Sequence, residues 1–70
     1  MLALTQAQQR VLRALTAYRR EHGQSPSQQE LGDALGLSKQ AVSKHMRALE
    51  LRGAIVQGYG MRRSARPVAQ

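Results

Sequence analysis

Residues 38–52 read SKQAVSKHMRALELR, and the fold that we predict for this chain starts from that stretch. On a helical wheel, at about 100° per residue, Val42, Met46 and Leu49 fall within about 60° of one another. The opposite side carries side chains that can hydrogen-bond base edges and phosphates, namely Gln40, Ser43, Lys44 and Arg47. An ordinary amphipathic surface helix has the same pattern, so charge and element order must separate it from a DNA-reading helix.

A long first helix is predicted over residues 6–22. Thr5 and Gln8 have the spacing of a capping box, in which each side chain satisfies a backbone N–H at the helix start. Gly23 follows at the position where glycine tolerates the left-handed conformation that ends many helices. One face of this helix is expected to meet the core: Ala7, Val11, Ala14, Leu15 and Tyr18.

A short second helix is predicted over residues 28–35. Pro26 disfavours a helical conformation at Ser25, so the chain is extended just before this helix. Ser27 and Glu30 form a second capping box. The residues expected to be buried from this helix are Leu31, Ala34 and Leu35.

A tight turn is predicted between the second and third helices. Gly36 ends the second helix, Ser38 caps the third, and Gly53 ends the third. The order helix, helix, tight turn, helix is typical of a helix-turn-helix module, with the third helix as the reading helix.

A hairpin is predicted after the third helix. Residues 54–57 are β-prone, residues 58–60 (GYG) favour a turn, and a second strand lies within residues 61–68. Pro67 limits that strand to a sheet edge or ends it. A hairpin here, tipped by Arg62 and Arg63, is a wing. The predicted fold is therefore mostly α with a small β-hairpin: a winged helix-turn-helix domain over residues 1–66, with a flexible tail over residues 67–70.

Positive charge is concentrated in the second part of the chain. The 70 residues include 11 Lys or Arg and 4 Asp or Glu, a formal net charge of +7. Residues 1–38 hold four arginines against three carboxylates, and residues 39–70 hold seven Lys or Arg against Glu50 alone, which leaves +1 and +6. Such an imbalance favours a polyanion as partner, because neutralised phosphates release condensed counterions. A membrane surface would need a free apolar face, and here the apolar stripes are needed for the core.

Composition and spacing argue against other classes of protein. With no cysteine, the chain has no disulfide and no thiolate site, which agrees with the cytoplasm. His22 and His45 stand far apart without a cysteine or carboxylate cluster, so we expect neither a metal nor another cofactor. Neither a phosphate-binding glycine loop nor a nucleophile elbow is present, and we do not expect an enzyme. No apolar run has the length of a signal-peptide core or a membrane span.

Many residues between positions 4 and 55 carry a resemblance to the N-terminal DNA-binding domain of LexA-type repressors. They are Leu4-Thr5, Gln8-Gln9-x-Val11, Ser25-Pro26-Ser27-x-x-Glu30-Leu31, Ala34-x-Gly36, Ala41, His45, Ala48-Leu49 and Arg52-Gly53-x-Ile55. The resemblance implies a bacterial or phage regulator that binds operator DNA through the third helix and the wing. More loosely, residues 38–49 are similar to the reading helix of other bacterial winged-helix regulators, including MarR-like ones.

Departures from the family limit what the resemblance implies. The C-terminal protease domain is not within these residues, so neither serine-lysine self-cleavage nor its dimer interface is carried over. Ser43 and Lys44 stand where the family typically has acidic residues, so its operator sequence is not transferred either. The turn before the third helix is about one residue shorter. Ala65 and Pro67 stand where larger apolar strand residues would be expected in the family.

The expected contacts divide into base readers and phosphate partners. Gln40 is placed to read adenine through N6 and N7, and Ser43, one turn on, is a second base-edge candidate. Lys44 and Arg47 reach either guanine or phosphates, and the sequence leaves both open. The remaining candidates are phosphate partners or wing contacts: Ser27, Gln28, Ser38, Lys39, Arg62 and Arg63. Ser38 is expected chiefly to cap its helix, and a solvated side chain is the alternative for each of the others.

Three functions remain from the sequence. Sequence-specific regulation of transcription, most simply repression, is favoured over a protein-interaction module and over RNA binding. A protein-binding face would need an apolar patch, and RNA binding would favour aromatic stacking platforms, of which two Tyr residues offer few. No small-molecule ligand is expected in so small a core, and we expect a cytoplasmic, nucleoid-associated protein.

Leu51 has no evident place in the core. Packing beneath the wing is the favoured interpretation, and a dimer contact is the alternative. We expect dimerisation, on DNA or free, because a single small module buries little surface on DNA.

Overall fold

The computed structural model describes residues 3–58 and 65–68. In these residues three helices precede a two-stranded antiparallel sheet: α1 (Gln6–His22), α2 (Gln28–Leu35), α3 (Lys39–Leu51), β1 (Ile55–Val56) and β2 (Arg66–Pro67). This confirms the predicted mostly α fold with a small hairpin after the third helix. We call residues 54–68 the wing; its residues 59–64 lie outside the described part of the chain.

Both of the first two helices begin with the predicted capping boxes. The Thr5 hydroxyl accepts a hydrogen bond from the Gln8 backbone N–H at 3.1 Å, and the Gln8 side chain accepts from the Thr5 N–H at 3.0 Å. Ser27 and Glu30 make the same two bonds, at 3.1 and 2.9 Å. Each bond satisfies a backbone N–H that has no acceptor within its helix, which is why α1 and α2 start where the sequence predicted.

Gly53 turns the chain from α3 into the wing. Its φ is +77°, a left-handed conformation that other residues rarely adopt. The N–H of Gly53 donates to the Glu50 carbonyl at 3.0 Å, and the N–H of Ala54 donates to the Leu49 carbonyl at 2.9 Å. This pair of bonds is a Schellman motif. Because it fixes the exit direction of the chain, it brings β1 back onto the core.

The core is built from all three helices and from the wing. Its buried residues are Val11, Leu15, Leu31, Val42, Met46, Leu49, Ala54, Ile55 and Ala65. The apolar faces predicted for α1 and α3 supply most of them. Ala65, which the sequence marked as too small for its strand position, is 6% exposed and fills its place in the core.

Two residues predicted to face the core are exposed instead. Ala7 lies in the first turn of α1, where a capped helix end projects beyond the core. Ala34 of α2 is also exposed, whereas Gly32 of the same helix is buried. α2 is therefore rotated about its axis so that Gly32, on the other side of Leu31, meets the rest of the protein.

The sheet tolerates Pro67 because of its register. Ile55 pairs with Pro67 and Val56 pairs with Arg66, while the N–H of Val68 donates to the Ala54 carbonyl at 2.9 Å. Hydrogen-bonded and non-hydrogen-bonded pairs alternate in an antiparallel ladder. Since Ala54 is bonded to Val68, the next pair is a non-hydrogen-bonded one, and the missing N–H of Pro67 removes no bond.

This register also moves the end of the ordered domain. The sequence placed a flexible tail from residue 67, but Pro67 lies in β2 and Val68 bonds to the opposite strand. Both residues therefore belong to the wing. The remaining two residues of the predicted tail lie outside the described part of the chain.

None of the described helices is both long and apolar enough to cross a membrane. Within the same residues, no three His, Cys, Asp or Glu side chains come together in a way that would hold a metal ion.

Candidate nucleic-acid interface

α3 separates a fully buried side from an exposed polar side. Its buried residues Val42, Met46 and Leu49 are at most 2% exposed. The contact residues predicted from this helix are all exposed: Lys39, Gln40, Ser43, Lys44 and Arg47. At about 1.5 Å per residue this polar row is about 12 Å long, which spans between three and four base steps of about 3.4 Å. Its only charged groups are cationic.

The start of α3 is fixed by its N-cap. The Ser38 hydroxyl accepts a hydrogen bond from the Ala41 N–H at 3.1 Å, as predicted. Ser38, Lys39 and Gln40 are exposed around this helix end. A helix N-terminus carries partial positive charge, so the charge of Lys39 adds to a field that already favours phosphate.

The turn between α2 and α3 depends on a close backbone approach at Gly32. The N–H of Leu37 donates to the Gly32 carbonyl at 2.9 Å, and the Gly36 N–H donates to the same oxygen. A Cβ on Gly32 would lie 2.6 Å from the Leu37 carbonyl oxygen and 3.4 Å from Val42 Cγ2. The absence of a side chain at Gly32 therefore sets how closely α3 packs against α2. Sequence reasoning missed this residue; the only signal was a glycine inside a capped helix.

α2 begins directly after the segment Ser25-Pro26-Ser27, and all three residues of this segment are buried. Ser27 is 8% exposed and its hydroxyl accepts the Glu30 N–H, while Gln28 is half-buried. The Ser27 hydroxyl is thus explained as a cap. In the first turn the backbone N–H groups of Gln28 and Gln29 remain as groups that suit a phosphate oxygen, since a helix start leaves them without intrahelical acceptors.

Glu30 joins the start of α2 to α1. One oxygen of its carboxyl accepts the Ser27 N–H, and the other accepts a hydrogen bond from the Tyr18 hydroxyl at 3.1 Å. The Tyr18 ring also lies against His22, with ring centroids 4.1 Å apart. Sequence reasoning placed Tyr18 only on the apolar face. A phenol on such a face needs a partner for its hydroxyl, and that requirement was the available signal.

Arginines at the end of α3 and in the wing add to the positive charge of this half of the chain. Arg62 and Arg63 lie outside the described residues, so their predicted contacts stay predictions. Arg52, at the end of α3, and Arg66, on β2, are exposed. Both were counted in the charge of this half of the chain, but neither was among the predicted contacts.

Leu51 does not pack beneath the wing. Its side chain is 77% exposed, the largest exposure among the large apolar residues that the structure describes as exposed. It projects from the last turn of α3, on the polar side of the wheel. The favoured interpretation from the sequence is therefore wrong, and the alternative of a dimer contact stays a prediction.

These features, a capped second helix, a tight turn, an exposed cationic third helix and a hairpin, are also found together in known proteins. The sequence profile of the family described as "LexA DNA binding domain" matches residues 1–64. The chain belongs to the LexA DNA-binding domain family. This confirms the resemblance seen in the sequence, and the match extends into the wing.

LexA repressors of three bacteria are similar to this chain. LexA repressor 1 of Nocardia farcinica is 40% identical over 67 residues, which are 94% of this chain and 30% of that protein. The LexA repressor of Koribacter versatilis is 38% identical over 65 residues, 91% of this chain and 31% of that protein. The LexA repressor of Alcanivorax borkumensis is 42% identical over 53 residues, 74% of this chain and 26% of that protein. The LexA-like chain thus spans less than a third of each of these relatives.

Proposed function

We propose that this LexA-family chain binds double-stranded DNA in a sequence-specific manner and represses transcription by occupying a promoter. The observation that carries the proposal is the exposed row on α3, which joins amide, hydroxyl and cationic groups on one face over a firmly buried opposite face. Such a row suits the major groove, which presents donors and acceptors that differ for each base pair. The role is one of binding, without catalysis.

Gln40 and Ser43 are the proposed base readers. The Gln40 amide has both a donor and an acceptor, which is the pair that adenine N7 and N6 require. Ser43 lies three residues further on, one turn along the same exposed face. Both side chains project from a helix whose opposite face is buried, so the packing of α3 defines their register on the bases.

Lys39, Lys44 and Arg47 are the proposed cationic contacts, with the start of α2 and the wing arginines Arg62 and Arg63 on the flanking backbone. Lys39 lies at the helix end and Arg47 two turns beyond it, so the pair brackets the base readers. Phosphate contacts fix position on the duplex, and base contacts select the sequence. The net charge of +6 on residues 39–70 supports this division.

A protein-interaction module is the second candidate, supported by the exposed Leu51. One exposed leucine is a small apolar patch compared with the size of a stable protein interface. The cationic row has no role in that alternative, so DNA binding is the better-supported function. Location at the nucleoid would follow from it.

The proposal is tested by selecting binding sites from a randomised duplex pool and measuring the winning site across a salt series. A single enriched motif is expected. In the Gln40→Ala variant, preference should relax at one base step by about 1–3 kcal/mol. Gln6→Ala, an exposed glutamine on α1, is the matched control and should leave the motif unchanged.

Two other outcomes would contradict the proposal. Salt-sensitive binding without an enriched motif would reduce the protein to a non-specific binder of polyanions. No binding at low salt would instead favour a protein partner. RNA binding is tested by competing single-stranded and double-stranded RNA against the selected duplex.

We also propose that the chain binds DNA as a homodimer. A single module of this size buries little surface on DNA, and pairing two modules on a palindrome adds their binding energies. Sedimentation velocity of the free protein and of its complex with the selected site tests this. A complex that contains only one protein chain on a palindromic site would contradict it.

A further inference from the structure

Two linked hydrogen bonds, part-buried at Arg19 and buried between Ser25 and Ala65, join α1 to the base of the wing. Arg19 of α1 donates from Nη1 to the Ser25 hydroxyl oxygen at 2.5 Å, and the Ser25 hydroxyl donates to the Ala65 carbonyl oxygen. Ser25 is 2% exposed and Ala65 is 6% exposed. The second of these hydrogen bonds connects Ser25 with Ala65, which are 40 positions apart in the sequence.

The direction of the bonds follows from their chemistry. A guanidinium has donors only, so the Ser25 oxygen must accept from Arg19, and its single proton is left for the Ala65 carbonyl. A hydroxyl that accepts from a cation becomes a stronger donor, because successive hydrogen bonds polarise one another. Arg19 therefore strengthens the bond by which Ser25 holds Ala65.

The wing needs this support because its ladder is short. β1 and β2 contain two residues each, and the pair of Ile55 with Pro67 is a non-hydrogen-bonded one. A two-stranded hairpin is marginal by itself. Ala65 is the residue at which the connection between the strands enters β2, and its methyl group is in the core. Its carbonyl is thus where a single added bond restrains the start of β2 most directly.

We propose that Ser25 is a positioning residue for the wing. By holding the Ala65 carbonyl, with Arg19 behind it, Ser25 fixes the start of β2, which follows Arg62 and Arg63 in the sequence. This inference rests on the proposed DNA-binding function for its consequence, since a wing that is held in place makes its cationic contacts on the duplex with less loss of conformational freedom.

The test has a DNA-free part and a DNA part. In the first, backbone ¹⁵N order parameters of Ala65 and Arg66 are measured in the wild-type protein and in Ser25→Ala. We expect both to fall in the variant towards the range of flexible backbone, below about 0.6. Thr5→Ala is the matched control, because it also removes a hydroxyl that bonds to backbone but lies at the start of α1, and it should leave both residues unchanged.

In the second part, duplex binding is measured across a salt series. Each phosphate contact contributes about −0.9 to the slope of log affinity against log salt. Ser25→Ala should reduce the magnitude of that slope towards that of the double variant Arg62→Ala/Arg63→Ala. Adding Ser25→Ala to the double variant should then change the slope little. The control Thr5→Ala should have the same slope as the wild-type protein.

Two further variants keep the proposal testable if Ser25→Ala fails to fold. Ser25→Cys keeps the shape of the side chain with a somewhat larger sulfur that is a weak donor, and Arg19→Met removes the cation that polarises the hydroxyl. Both should lower the order of Ala65 and Arg66, though less than Ser25→Ala. Unchanged order parameters in all these variants would overturn the proposal, as would an unchanged slope in folded Ser25→Ala.

Failure of the DNA-binding function gives a different result. If the wild-type protein binds no duplex, the proposed function is contradicted, and with it the role of the wing on DNA. The order parameters still decide whether Ser25 holds the wing, because they are measured without DNA.

Discussion

Gly32 and Leu37 approach each other so closely that a Cβ on Gly32 would lie 2.6 Å from the Leu37 carbonyl oxygen. The same two residues are joined by a hydrogen bond, from the Leu37 N–H to the Gly32 carbonyl, at 2.9 Å. The turn before α3 is therefore held by backbone atoms at a separation that only glycine permits.

This contact predicts whether a substitution at Gly32 raises or lowers the free energy of unfolding. In most helix interiors, replacing glycine by alanine stabilises the helix by roughly 0.5–1 kcal/mol. Gly32→Ala should instead lower the free energy of unfolding by about 1–3 kcal/mol, because the added methyl group meets backbone that cannot move aside easily. Urea denaturation at equilibrium measures the effect. Ala34→Gly, at an exposed position of the same helix, measures the ordinary difference in stability between alanine and glycine in this helix. If Gly32→Ala stabilised the protein, the close contact at Gly32 would be contradicted.

Tyr18→Phe should separate the contribution of the Tyr18 hydroxyl to stability from the contribution of its ring. The substitution removes the hydrogen bond to Glu30 and leaves the ring against His22. We expect a loss of about 0.5–1.5 kcal/mol in the free energy of unfolding, the usual range for one intramolecular hydrogen bond. In the background of Glu30→Ala, which removes the acceptor, the same substitution should cost less, because the bond to residue 30 is already absent. If thermal and urea denaturation show full additivity, the bond contributes nothing to stability.

Substitution by alanine should have very different effects on stability at two leucines near the end of α3. Leu49 is fully buried, so Leu49→Ala should cost about 2–5 kcal/mol of stability. Leu51 is 77% exposed, so Leu51→Ala should change the stability of the monomer by at most about 0.5 kcal/mol. Chemical denaturation at low protein concentration compares them. A large loss for Leu51→Ala under those conditions would mean that Leu51 is covered within the monomer.

Lys39→Gln should weaken binding to all duplex sequences by a similar factor. Loss of one phosphate contact should reduce the magnitude of the salt slope by about 0.9 and leave the selected motif unchanged. Arg13→Gln removes the same charge from the exposed side of α1, opposite the buried Val11 and Leu15, and should leave the slope unaltered. An equal effect of both variants on the slope would indicate that the protein responds to net charge alone.

Local signals predicted the helices well because those signals are chemical and short-ranged. The capping boxes that start at Thr5 and Ser27 involve residues three positions apart, and Gly53 ends α3 by a bond pattern that spans six residues. The apolar stripe of α3 likewise needed only its own spacing. The polar row on the other face of that helix followed from the same wheel.

The errors arose where distant parts of the chain meet. The sequence analysis chose Ala34 beside the buried Leu31. Gly32 flanks Leu31 on the other side of the helix, and only packing against the rest of the protein selected it. The second strand was placed within eight residues but without a register, because a two-residue strand carries almost no periodicity. Leu51 was assigned to the core side of the wing, although nothing in its local sequence fixed what covers it.

By itself, therefore, the sequence determined where the three helices begin and end, which face of α3 is buried, and that the exposed face and the wing carry the positive charge. It did so because caps, helical periodicity and charge are properties of neighbouring residues. The tertiary structure alone decided the rotation of α2 onto Gly32, the register that accommodates Pro67, and the bond from Ser25 to Ala65. Each of these depends on the distance between residues that are remote in the chain, and that distance is fixed only once the core has packed.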